Sequence, residues 1–295
     1  MTDAVLGTIP VTVAEQVESP ARRAFRRLLK RKGAVAGLIV IAAFMLMAVF
    51  APLIAPYDPI ATSWSAVRKA PSAAHWFGTD DLGRDILARV LYGARASLVA
   101  GAISVAIALS IGVPLGLLSG YRGGFIDALI SRITDAMLAC PFLILAIALA
   151  AFLGPSLGNA MIAIGISATP IFVRLTRGQV MSVKVEDYIE AARAMGNPRW
   201  RIALFHILPN IMPALLVQAT LAIAAAIIAE AALSFLGLGQ QPPAPSWGSM
   251  LNSAQRFLTT APWMAVWPGL AIFLIVLSFN LVGDGLRDAL DPRER

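Results

Sequence analysis

Few residues in this 295-residue chain are of a type that does chemistry, and their spacing excludes most reactions. The two histidines, His75 and His206, lie far apart, and no cysteine or histidine cluster has metal-ligand spacing. No Gly-x4-Gly-Lys-Ser/Thr run occurs, so the chain has no P-loop for ATP. Cys140 is the only cysteine and sits in an apolar run, which fits a small packing residue and precludes an internal disulfide. The remaining candidates are acidic. Glu230 stands inside an apolar run, where an ionisable group is a candidate for a transport path or for a contact with a sister subunit. Asp85 and Arg89 have the i,i+4 spacing of a helix ion pair, predicted on a short interfacial helix within 78–93. Asp135, three residues after Arg132, predicts a second local pair.

The densest cluster of polar residues is "VEDYIEAARAMGNPRWRIALFHILPN", residues 185–210. Glu186 and Asp187 suit a helix N-terminus. Tyr188, Ile189, Ala192 and Met195 follow at helical spacing, and Gly196 is the residue best able to take a left-handed stop. Asn197 and Pro198 then fit an N-cap and a first helical position. Trp200, Ile202, Ala203 and Ile207 form a second apolar set before Pro209. The pattern predicts two short helices joined at a glycine elbow, outside the bilayer. Two partners fit that hairpin. Lipid headgroups would meet its basic residues. A protein surface would use the small Ala191-Ala192 face and the negative Glu190, which an anionic leaflet would repel.

Composition supplies the frame for this segment. The chain is 58% hydrophobic and only 14% charged, with a mean hydropathy of +0.75. A soluble domain carries about 25% charge. Six apolar runs are each near the roughly 20 residues that cross a hydrocarbon core. They cover about 34–55, 97–118, 136–153, 157–173, 211–236 and 264–282. Pro114, Pro141, Pro170, Pro213 and Pro268 lie in or at the ends of five of them. No alternating pattern supports a barrel. Arg22, Arg23, Arg26, Arg27, Lys30, Arg31 and Lys32 precede the first run, as a cytoplasmic anchor would. With the N-terminus inside, eighteen basic residues fall on the inner side and six on the outer. Both termini and the 185–210 segment are therefore expected in the cytoplasm. This distribution accounts for the +7 net charge without nucleic acid. Residues 1–20 read as a disordered tail rather than a signal peptide.

At the level of motifs, Glu190-Ala191-Ala192, Gly196 and Leu208-Pro209 resemble the EAA loop of bacterial ABC-transporter permeases, EAA-x3-G-x9-I-x-L-P. The one departure is His206 at the isoleucine position, where a residue packing at the base of span five is expected. "HWFGTDDLGRDILARVLYGARASL" (75–98), "SFLGLGQQPPAPSWGSML" (234–251) and "FNLVGDGLRDALDPR" (279–293) resemble the C-type permease of dipeptide, oligopeptide and nickel importers.

The resemblance implies an all-α, six-span, type I ABC importer permease of a bacterial inner membrane. Its parts would be a cytoplasmic tail (1–33), a first span (34–56) and an extracytoplasmic loop with a short interfacial helix (57–94). A five-helix core (95–285) would contain the coupling loop 182–208, and a cytoplasmic tail (286–295) would follow. The resemblance also implies a homologous B-type permease, two cytoplasmic ATPases and an extracytoplasmic binding protein, for which 78–93 would be a docking surface. The chain would itself be no enzyme and hold no cofactor, ATP and Mg being bound by the ATPases. Glu190, Ala191, Ala192, Gly196, Leu208 and Pro209 would form the coupling element. Peptides are the implied cargo, with nickel or a peptide-like molecule as alternatives. Outside this class stand an ion-coupled secondary transporter working through Glu230, and a receptor or scaffold.

Overall fold

The computed structural model describes residues 20–290, with side chains from Arg22. The expected disordered tail therefore lies outside the described residues, except for Pro20, which opens α1 (Pro20–Lys30). The basic cluster before the first span is thus helical as far as Lys30, with Arg31 extended between α1 and the next helix. Leu28 of α1 packs on Ala34 and Ala289, and Arg31 pairs with Asp288 at 3.4 Å. No strand forms among the described residues apart from one isolated bridge between Thr79 and Asp85.

The spanning helices follow the apolar runs but exceed most of them. They are α2 (Lys32–Ile54), α3 (Ile86–Arg122), α6 (Leu157–Val183), α9 (Leu208–Phe235) and α11 (Trp263–Leu290). Each is long and apolar enough to cross a membrane. Residues 86–93, expected as a separate interfacial helix, are the first turns of α3. The fourth apolar run, expected to end at about 173, continues as helix through Arg174 to the end of α6. Pro114, Pro170, Pro213 and Pro268 sit inside helices.

The third expected span, 136–153, is not one helix. α4 (Gly124–Leu138) and α5 (Phe142–Leu153) meet at 91° and supply a sixth span only if taken as a bent pair. The break falls at Ala139-Cys140-Pro141, where proline forces the preceding residue out of the helical region. Polar anchors hold α4 against α6. Asp127 accepts from Arg177 Nε and Nη2 at 2.6 and 2.8 Å, and from Ser119 Oγ at 2.5 Å. Asp135 accepts from Arg174 at 2.7 Å, so its partner is not Arg132 as expected.

Small residues let the long helices approach closely. Gly112, Gly116 and Gly120 recur every four residues on α3 and face α6. A Cβ on Gly116 would come within 2.6 Å of both Thr176 Cβ and the Val173 carbonyl. Without a hydrophobic drive between helices in lipid, such backbone contact is a main source of cohesion. α2 and α11 meet in the same way at Gly37 and Ser278. Gly285 against Ala34 places both ends of the described chain at one end of the bundle. The opposite end carries α10 (Trp247–Ala254), whose Ser246 and Ser249 form a reciprocal cap.

Candidate functional site

At the end of the bundle shared by the termini, α6 leads through Lys184 into α7 (Asp187–Ala194). α7 stops as its glycine requires. Gly196 takes φ +78, its N–H donates to the Arg193 carbonyl at 2.9 Å, and the Asn197 N–H donates to the Ala192 carbonyl at 3.2 Å. These two bonds are the Schellman stop. The Asn197 side chain adds a third, also to the Ala192 carbonyl, at 3.1 Å. It therefore closes α7 instead of capping the following helix, as the sequence reading had it.

That following helix is not a separate short one. α8 (Arg199–Arg201) passes through a π turn at Ile202–Ile207 directly into α9, giving one helix from Arg199 to Phe235. Pro209 has no N–H, and its ring would clash with the carbonyl of residue 205 in regular α geometry. The wider turn removes that conflict. It also shifts the register, so Ile207 is fully buried while His206 is only half-buried, with Nδ1 3.5 Å from the Arg201 carbonyl. The buried position expected at 206 is thus filled by Ile207.

The sequence-predicted elbow residues divide between two faces. Ile189 and Ala192 are buried with Val180, Ile202, Ile207, Ile211 and Leu215. Ala192 therefore serves packing within the chain, and of the two alanines expected to face a partner only Ala191 is exposed. Glu190, Ala191 and Gly196 are exposed, as are Tyr188 and, at 76%, Met195. Partial burial, and then the Glu186 carboxylate, push the Tyr188 phenol above its ordinary pKa. Leu208 is half-buried and Pro209 exposed. The elbow is tied to α3: Lys184 Nζ donates to the Gly120 carbonyl at 2.8 Å, and Arg193 lies over the Tyr121 ring.

Glu230 is elsewhere and does something else. It is 0% exposed within this single chain. Oε2 accepts from Ser97 Oγ at 2.9 Å and Oε1 from Ser234 Oγ at 2.7 Å, joining α3 to α9. In this structure it faces neither an open path nor a surface for a sister subunit, contrary to both expectations. α3, α9 and the start of α10 already enclose its position; Gly248 of α10 packs on the Ala231 backbone.

The expected Asp85–Arg89 pair also gives way to different partners. Asp85 caps α3, accepting from the Ala88 N–H at 2.8 Å, and its other oxygen lies 2.9 Å from His75 Nδ1. Arg89 is 3.5 Å from Asp80 and donates to the Pro59 carbonyl at 2.9 Å and the Pro243 carbonyl at 3.4 Å. Asp80 also binds Arg84 at 2.6 Å. These buried charges lock two loops onto α3. The Asp127–Arg177 pair had no local signal, because its members are fifty residues apart.

Residues 112–295 match the family described as the binding-protein-dependent transport system inner membrane component. Residues 19–71 match the N-terminal transmembrane domain of oligopeptide transport permease C. The dipeptide transport system permease protein DppC of Alkalihalophilus pseudofirmus is 54% identical over 93% of this chain and 90% of its own length. The glutathione transport system permease protein GsiD of Escherichia coli O157:H7 is 46% identical over 98% of this chain and 96% of its own length. The fold is shared with the MetNI methionine ABC transporter, solved in inward-facing conformations. The TM-score is 0.58 at 22% identity, over 70% of this chain and 98% of that one. A helical bundle with this elbow, matched along nearly its whole length, therefore belongs to the inner-membrane components of binding-protein-dependent transport systems, in their permease C branch.

Proposed function

We propose that this chain is the C-type permease of an ATP-driven peptide importer, and that α7 is the helix through which it couples to a cytoplasmic ATPase. The observation that carries the coupling reading is the elbow itself. An exposed Glu190 and Ala191 ride on a buried platform that is continuous, through the π turn, with the spanning helix α9. A push on α7 thus has a stiff route into the membrane. The inner-side excess of basic residues supports placing this end, and both termini, in the cytoplasm. Glu190 and Ala191 contact the ATPase, Gly196 sets the elbow, Ala192 seats it, and Leu208-Pro209 join it to α9. ATP and Mg are bound by two partner ATPases. A B-type permease completes the path, and an extracytoplasmic binding protein delivers the cargo. The names of the relatives support a di- or oligopeptide, with glutathione-like molecules in the same chemical class.

Glu190→Lys is expected to leave the chain inserted and assembled while abolishing both transport and substrate-stimulated ATP hydrolysis in proteoliposomes. At Gly196 nothing lies within 4 Å of an added Cβ, so the cost of substitution is conformational. Gly196→Val should uncouple like Glu190→Lys, whereas Gly196→Asn, which tolerates the left-handed region, should retain activity. Wild-type transport in both Glu190→Lys and Gly196→Val would sink the coupling assignment.

A further inference from the structure

A cleft of about 920 Å³ opens between the last turns of α3, the end of α7 and the first turns of the α8–α9 helix. Arg122, Arg193 and Arg199 line it. All three are exposed, and among the described residues none of them forms an ion pair with a carboxylate. Three cations around one cleft repel one another and lower their energy by sharing an anion. Apart from Asn197, the remaining wall is aliphatic or aromatic. It includes Leu118 and Leu204, and exposed Leu115 and Ile111 continue it along α3.

Depth narrows the ligand. Arg122 follows the apolar run 97–118 by four residues, about one helical turn of α3, which puts its guanidinium near the level of the headgroups. Tyr121 and Trp200 also line the cleft, and such amphipathic rings settle at the same level. A free phosphate would satisfy the arginines but make no use of the adjoining leucines. An ATPase surface would bring no acyl chain to cover them. We propose that the cleft holds the phosphodiester headgroup of an anionic phospholipid, its acyl chains lying along Leu118, Leu115 and Ile111. The proposal rests on the coupling reading only for placing this end at the cytoplasmic leaflet. The lipid would bridge the end of α3 to the elbow.

The test uses the purified full-length chain in detergent, exchanged against equal amounts of phosphatidylglycerol and phosphatidylcholine, with retained lipid counted by native mass spectrometry. Phosphatidylglycerol should be retained preferentially. Each arginine removed should lower retention about fivefold, the Boltzmann factor for roughly 1 kcal/mol per basic residue. The double variant Arg122→Gln/Arg199→Gln should thus lose most of it, and Arg122→Lys/Arg199→Lys should recover it. Arg256→Gln, at the opposite end, should change nothing. The proposal fails if wild type shows no preference, if the double glutamine variant retains phosphatidylglycerol, or if the Arg256 variant loses as much. Displacement by an equal concentration of inorganic phosphate would make the site one for a free anion and overturn it. Because no ATPase is present, Glu190→Lys can fail to uncouple transport while this lipid result stands, and the reverse.

Discussion

Glu230 lies buried between α3 and α9, its two oxygens accepting from Ser97 and Ser234 inside one chain. Truncation would leave those buried hydroxyls without their acceptor, at about 1–3 kcal/mol each. Glu230→Ala is therefore expected to lower the thermal unfolding midpoint of the purified chain, and Glu230→Gln, which keeps an acceptor oxygen, to lower it less. An unchanged midpoint with lost transport would return Glu230 to the path. The sequence could not show this burial, because the serine on α3 is 133 residues away. The same holds for Arg89, whose nearest acid in sequence, Asp85, is committed to capping α3 and to His75. By contrast, Gly196 was legible, since a positive φ leaves few alternatives to glycine.

Among elements, the apolar runs placed the spans well because each must hide its backbone polar groups from lipid within the segment itself. Their ends were less legible, since charged residues remain helical where another helix neutralises them. Arg174 and Arg177 do so through Asp135 and Asp127. The bend at Pro141 was visible as a proline but not as a 91° turn, which depends on how α4 is anchored to α6. The π turn left no sequence mark beyond Pro209. Close packing of α3 on α6 can be tested directly. Gly116→Val would drive its side chain into Thr176 and the Val173 backbone, an overpacking that costs about 1–3 kcal/mol or more. Reduced accumulation and a lower unfolding midpoint are expected, while Gly178→Ala on α6, with open space around it, should behave as wild type. Equal stability of the two variants would show that the helices do not meet through the glycine stripe.

For the whole molecule, the two ends are built differently, and the difference bears on what drives transport. The α10 end is locked by the buried charges around Arg89, by Trp247 donating to the Val90 carbonyl at 3.0 Å, and by Arg95 donating to the Ala48 carbonyl. The α7 end presents an exposed elbow on a helix that runs the full depth of the bundle. The coupling proposal has force enter at the α7 end, whereas the competing ion-coupled reading needs an acidic group open to the transport path. Glu230, the candidate for that role, is enclosed. Proteoliposomes holding this chain alone should accordingly take up no peptide under a proton or sodium gradient. Uptake should appear only when a B-type permease, the ATPase pair and the binding protein are added with ATP and Mg, and should then persist when the gradient is collapsed by an ionophore. Gradient-driven uptake by the chain alone would show that force enters through an ion site rather than through α7.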